Sequence, residues 1–183
     1  MVIRGGGPAR RRRSRATHLD PRGRVRMVDV SSKPSTLREA VAAGEITMSA
    51  GAFAAIRSGA VDKGDVVAAA RLAGIGAAKR TAELIPLCHS IPLDHVGVEI
   101  RFRDRERVVE ATASARTRWS TGVEMEALVA VTAALLTIYD MAKSIDRAMT
   151  LGPIRLLRKR GGRSGLFVRG RRRAPTTERA RRP

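Results

Sequence analysis

Apolar and polar positions alternate along Val96-Gly-Val-Glu-Ile-Arg-Phe102, the period of a strand with one buried face. A second run, Val108–Ala115, follows the charged turn Asp104-Arg-Glu-Arg107, so the pair predicts a hairpin. Further on, apolar residues dominate a stretch from Thr121 to Lys143, which predicts one long helix over roughly 122–147. Ser49–Ser58 predicts a short helix, with Ser49 as its N-cap and Gly59 just past its end. Lys63-Gly-Asp65 opens another helix that runs in some form from Val66 to Leu84, interrupted at Gly74 and Gly76 and ended by Pro86.

The remaining segments are weaker. Met27-Val-Asp-Val30 reads as a short extended piece and Ser31-Ser-Lys-Pro34 as a turn. Thr36–Ala43 reads as weakly helical, and Leu87–Leu93 as a loop. Gly152-Pro153 breaks the chain before a strand candidate at Ile154–Leu157, a turn at Arg160-Gly-Gly162 and a final strand at Gly165–Arg169. Strands and helices do not alternate regularly. The pattern therefore predicts an α+β fold, an antiparallel sheet with helices packed on one face.

Composition changes this picture mainly at the ends. The chain has 183 residues and a formal charge of +19. Nine Arg against one Asp give residues 1–26 a net +8, and seven Arg against one Glu give residues 169–183 a net +6. Only +5 remains for 27–168. Both ends are rich in Arg, Gly and Pro and poor in large apolar residues, so they are expected to be disordered. The sequence thus divides into an Arg-rich extension (1–26), one domain (27–168) and a basic tail (169–183). The tails can bind polyanions without specificity, as Arg10–Arg13 suggests.

A nucleic-acid-binding module is the reading that the charge favours. Three Phe, one Tyr and one Trp, with no stacking motif on either strand of the hairpin, count against it. No membrane span is expected, because the longest uncharged apolar run, 127–139, is too short to cross a bilayer. A single cysteine, Cys88, excludes an internal disulfide and fits a cytoplasmic, reducing setting. One Cys and three His show no metal-ligand spacing.

The chemistry concentrates on the long helix. Thr121-Gly-Val-Glu124 has capping-box spacing, which gives Glu124 a structural role. Glu126 has no such role. At about 100° per residue, Glu126 and Asp140 fall within about 40° of one face. Their helical rise separates them by about 21 Å, too far for one small substrate. A pocket using both must join two antiparallel copies across a two-fold axis. Asp140 and Lys143 are three apart and face each other; Ile138, Met141 and Ala142 around them predict partial burial. Such a pair is a candidate for proton transfer; an ordinary surface ion pair is the plainer alternative. Lys63, Lys79 and Lys143 stand out in a chain that otherwise uses Arg and has five lysines, at 33, 63, 79, 143 and 159, because Lys, unlike Arg, can be tuned to give up a proton. His89 is a candidate acid, base or donor in its loop; a surface-loop histidine is the plainer alternative.

Eight motifs occur in order: Met27-Val-Asp-Val-Ser31, Lys63-Gly-Asp-Val66, Ala73-Gly-Ile75, Ala77-Ala-Lys-Arg-Thr81, Leu84-Ile-Pro-Leu-Cys-His89, Thr121-Gly-Val-Glu-Met-Glu-Ala-Leu128, Leu136-Thr-Ile-Tyr-Asp-Met141 and Gly161-Gly-Arg-Ser-Gly165. Together they closely resemble the cyclic pyranopterin monophosphate synthase family of molybdenum cofactor biosynthesis, over about 27–168. The resemblance implies a ferredoxin-like fold and a homohexamer built as a trimer of dimers, with the active site at a dimer interface. It implies conversion of the nucleotide-derived small molecule (8S)-3′,8-cyclo-7,8-dihydroguanosine 5′-triphosphate to cyclic pyranopterin monophosphate with release of pyrophosphate. It also implies catalytic roles for Asp140, Lys63 and Lys143. Substrate contacts would come from Leu87, Cys88, His89, Met125 and Glu126, and triphosphate contacts from Lys79 and Lys159. No cofactor is required on this reading, though Mg2+ can accompany the triphosphate. The chain departs from the family pattern at Ser120, often basic, and at Arg163, often Lys; both bear on phosphate contacts. A catalytically dead scaffold is the other alternative, and the intact Lys63, Asp140 and Lys143 speak against it.

Overall fold

The computed structural model describes residue 20 and residues 22–170. The disorder expected of 1–26 and 169–183 therefore lies mostly outside the described residues, at 1–19, 21 and 171–183. Ten elements follow in chain order. They are β1 (Thr36–Thr47), α1 (Ala50–Ser58), α2 (Val66–Ala78), α3 (Thr81–Leu84), β2 (His95–Arg103), β3 (Val108–Trp119), α4 (Glu124–Ala142), β4 (Thr150–Leu151), β5 (Arg155–Arg160) and β6 (Phe167–Val168).

The six strands form one antiparallel sheet in the order β2-β3-β1-β5-β6, with β4 paired to β1. Leaving out the shorter α1, α3, β4 and β6, the chain reads β1-α2-β2-β3-α4-β5 with the crossed order of a ferredoxin-like fold. Helices α2 and α4 pack on each other and cover one face of the sheet.

Thr36–Ala43 is not helical. It begins β1, which pairs with β3 along all 12 of its residues and with β5 on its other edge. Leu, Arg, Glu and Ala favour helix in isolation. Here the small side chains serve the packing instead: Ala40 and Ala42 are fully buried under α4, where larger residues would push the helix off. Tertiary pairing on both edges outweighs local propensity.

Several local expectations hold. The Ser49 hydroxyl accepts from the Ala52 N–H, and Gly59 takes the left-handed conformation at the end of α1, with φ 74°. The Asp65 carboxylate accepts from the Ala68 N–H and starts α2. Gly74 and Gly76 do not interrupt α2, which ends instead at Ala78, with the short α3 beyond. Gly74 has a packing role. A Cβ there would stand 2.9 Å from the Ala130 carbonyl oxygen of α4 and 3.0 Å from Val98 of β2.

The long helix is shorter than expected, and the capping box does not form. Val123 is the N-cap, no side chain caps it, and Glu124 is the first helical residue. The helix starts two residues later than a Thr121 N-cap would place it, after a bend at Ser120-Thr121. With 19 residues and a mean hydropathy of 1.5, α4 does have the length and apolarity of a membrane span. Half of that stretch is buried in the protein's own core, where Ala127, Ala130, Val131, Ala134, Leu135 and Ile138 are all nearly or fully inaccessible. That is how a core helix of a small sheet-backed domain comes to be so apolar.

Candidate active site

The fold presents two groups of polar residues, one at each end of α4. At its C-terminal end, Asp140 sits in the last turn and Lys143 caps the helix. Lys63 reaches them from the loop between α1 and α2. One Asp140 carboxylate oxygen accepts from Lys143 Nζ at 2.7 Å and the other from Lys63 Nζ at 3.0 Å. Lys63 also donates to the Asp140 backbone carbonyl at 2.9 Å, a helix-terminal oxygen without an intrahelical partner. The two hydrogen-bonded ammonium groups, Lys143 first and then Lys63, hold the Asp140 carboxyl below the usual carboxylate range.

The partial burial expected of this pair is not found: side-chain exposure is 58% for Asp140, 50% for Lys143 and 46% for Lys63. Ile138, Met141 and Ala142 turn inward and leave positions 140 and 143 facing out.

At the N-terminal end of α4, a pocket of about 340 Å³ gathers Leu87, Cys88, His89, Met125 and Glu126. The loop that brings the first three is pinned at both ends. The Cys88 N–H donates to the Ile85 carbonyl at 3.0 Å, and the buried Thr117 hydroxyl donates to the Pro92 carbonyl at 2.5 Å. His89 is half-buried, not a free surface residue, and its Nε2 lies 2.8 Å from the Val28 carbonyl oxygen. Glu126 is 4% exposed. Burial pushes its carboxyl up to about 7, against its own backbone N–H, and nearby Glu124 adds to the rise. Burial, with Glu126 close by, also raises the Cys88 thiol, which is therefore not an activated nucleophile.

A second cleft of about 800 Å³ adjoins this pocket. Lys33, Thr121, Gly122 and Glu124 line both. The larger cleft is basic, with Lys33, Arg38, Lys159, Arg160 and Arg163 on its walls. Lys159 donates to the Ser164 hydroxyl across the Gly161-Gly162 turn. Arg38 donates to the carbonyls of Trp119 and Ser120, at 3.2 and 3.4 Å. Ser120 and Arg163, where the sequence departs from the family pattern, both stand in this cleft. Lys79 lines neither cavity; it caps α2 and is exposed.

Sequence reasoning did not assign Lys33 or Arg38 to the site. Lys33 is one of the chain's five lysines, and nothing in its segment sets it apart from the others. Arg38 carried no signal, because its segment had been read as helix, and only its position on β1 turns it toward the cleft. No group of three or more His, Cys, Asp or Glu side chains among the described residues is placed to hold a metal ion.

The sequence that builds this basic cleft, the smaller pocket and the Lys-Asp-Lys cluster is similar to those of known proteins. The model of the MoaC family matches residues 27–162. The cyclic pyranopterin monophosphate synthase of Roseiflexus sp. (strain RS-1) is 57% identical over 152 residues, covering 83% of this chain and 96% of that protein. The synthase of Thermomicrobium roseum is 54% identical over 153 residues, with 84% and 92% coverage. That of Parvibaculum lavamentivorans is 52% identical over 149 residues, with 81% and 93% coverage. The chain belongs to the MoaC family.

Proposed function

We infer that this protein is a lyase of molybdenum cofactor biosynthesis. It converts (8S)-3′,8-cyclo-7,8-dihydroguanosine 5′-triphosphate to cyclic pyranopterin monophosphate, releasing pyrophosphate as the cyclic phosphate closes. One observation carries the residue-level reading: a single carboxylate, Asp140, is held by two lysines from different elements, one on each oxygen. Kept ionised by these ammonium groups, Asp140 is a proton acceptor, and Lys63 and Lys143 return protons to the rearranging ring. The conversion involves several proton transfers and no net change of oxidation state, so Lys and Asp suffice for its acid-base steps.

The other group serves binding. The ring system fits the pocket of Leu87, Cys88, His89, Met125 and Glu126, where a buried, proton-holding Glu126 can donate to a ring acceptor. The triphosphate extends into the basic cleft toward Lys159, with Lys33 between. Lys79 is left without a contact in one chain and would have to act on a partner's pocket. Mg2+ would enter as a counter-ion of the triphosphate, bound by substrate oxygens.

Because the acid-base cluster and the ring pocket lie at opposite ends of α4, each site is completed by a second chain. The exposed Asp140 of one protomer faces the Glu126 pocket of its partner, and dimers assemble as a hexamer. We place the enzyme in the cytoplasm. Its tails add nonspecific polyanion binding, so a chain trimmed to 27–168 keeps turnover and loses salt-sensitive binding to heparin or RNA.

The test is direct. The purified protein, given the cyclised nucleotide triphosphate, should release pyrophosphate and form the cyclic monophosphate in equal amounts. Absence of turnover by a folded, hexameric sample would refute the assignment.

A further inference from the structure

The segment Val28–Pro34 belongs to no helix or strand, yet it forms a wall of both cavities: Val28, Val30 and Lys33 face the smaller and Ser32, Lys33 and Pro34 the larger. It is folded on itself. The Ser31 N–H and hydroxyl donate to one Asp29 carboxylate oxygen at 2.9 and 2.7 Å, and the Lys33 N–H donates to the Val30 carbonyl at 3.0 Å. Its attachment to the body of the protein is sparse. Among the described residues, one hydrogen bond joins 28–34 to the rest of the fold, from His89 to the Val28 carbonyl at 2.8 Å.

His89 is a firm anchor. Its loop is tied by the Thr117–Pro92 hydrogen bond to β3, which is paired on both edges. A carbonyl oxygen can only accept, so Nε2 carries the proton of this bond. Lys33, five residues from this bond, is the one cation among the described residues that lines both cavities.

We propose that His89 is a positioning residue: through its Nε2–H···O=C bond to Val28 it latches the 28–34 strap and so sets Lys33 between the ring pocket and the phosphate cleft. Without the latch the strap samples open states. Binding then bears the ordering, and apparent affinity falls by the fraction of time the strap is closed. The effect belongs on KM more than on kcat, since the strap carries none of Lys63, Asp140 or Lys143.

The proposal is tested on the full-length protein by hydrogen exchange at the amides of Ser31, Ser32 and Lys33, compared with amides of β1 and β3. His89→Asn puts its amide near the Nδ1 position and loses the bond; His89→Gln puts an amide N–H near Nε2 and can restore it. His89→Asn should speed exchange in the strap by about fivefold, the worth of one hydrogen bond, and leave β1 and β3 unchanged. His89→Gln should return strap exchange toward wild type. Strap exchange in His89→Asn equal to wild type, or no rescue by Gln, would overturn the latch.

If His89→Asn exchanges everywhere and so fails to fold, the wild type decides alone. The His89 Nε2 proton should remain visible by NMR at neutral pH, sheltered from water exchange; rapid exchange would overturn the proposal. None of these arms needs turnover, so they stand apart from the proposed reaction. The kinetic arm rests on that reaction: KM should rise about fivefold in His89→Asn with kcat changed less, and Gln should reverse it. A fall confined to kcat would make His89 a catalytic group instead.

Discussion

The two ends of α4 treat a carboxylate in opposite ways. Glu126, in the first turn, is almost wholly buried and its proton is held up to about 7. Asp140, in the last turn, is more than half exposed and its proton is released early, because two lysines bind the anion. Desolvation dominates at one end and charge-assisted hydrogen bonding at the other. Two carboxyl groups with values pushed apart can take opposite roles at one pH, one as donor and one as acceptor. In this protein the pair cannot meet within a chain, since about 21 Å of helix lies between them. The two carboxyl groups can serve one site only if copies of the helix are brought together.

The strongest way to break the comparison is at the C-terminal end. Asp140→Asn keeps the shape and the hydrogen-bonding reach and removes the anion. Turnover should fall about 10²- to 10⁴-fold, the range for a lost general base. Lys63→Ala and Lys143→Ala should each cause losses of similar size while the fold and assembly state stay those of wild type. Activity within tenfold of wild type in any of the three, measured by pyrophosphate release, would remove that residue from the catalytic set.

The contrast was only partly legible in the sequence. The hairpin, α1 and its caps, and α4 are local patterns, and local rules found them. β1 was misread, because its Ala, Leu, Arg and Glu carry helix propensity and its true state is dictated by β3 and β5, far away in the chain. That error also hid Arg38. The exposure of Asp140 was misjudged for a related reason: neighbours in sequence say what is apolar nearby, not which side of the helix the core lies on. The meeting of Lys63 with Asp140, 77 residues apart, has no local signal and was reached through family resemblance.

Glu126 sharpens the comparison through pH. In the unfolded chain its carboxyl releases its proton near 4.5, whereas in the fold it keeps it until about 7. The folded state thus binds more protons between these values. Its stabilising share is fully present below 4.5 and is lost as pH rises through 7. At 1.36 kcal/mol per pH unit the loss approaches about 3 kcal/mol. Glu126→Gln should abolish this slope, so that the variant gains on wild type from pH 5 to pH 8 in denaturant unfolding at fixed protein concentration. Parallel pH profiles would mean that Glu126 is ionised and solvated in the fold.

Both ends of α4 are carried on one rod seated against α2, and Gly74 sets how closely. Gly74→Ala gains up to about 1 kcal/mol of helix propensity. It also forces a Cβ to 2.9 Å from the Ala130 carbonyl, backbone that cannot yield cheaply. Overpacking of this kind costs about 1–3 kcal/mol, so a net loss of about 1 kcal/mol is expected. A variant more stable than wild type in chemical denaturation would show that α2 can shift along α4 without penalty.

The smallest effect is the most specific to the comparison. Glu126→Ala and Asp140→Ala protomers should each be inactive alone. If one pocket takes Glu126 from one chain and Asp140 from its partner, a mixed dimer has one intact pocket and one that carries both lesions. With equal amounts and free exchange, about half of the dimers are mixed, and half of their pockets are whole. Activity should recover to about a quarter of wild type, provided that pockets work independently. Subunit exchange is verified separately, by native mass spectrometry of a mass-labelled variant. Recovery near a quarter fixes the two ends of α4 as halves of one site contributed in trans. No recovery after verified exchange would place both halves within one chain, and the 21 Å of helix between them would then have to be spanned by the substrate itself.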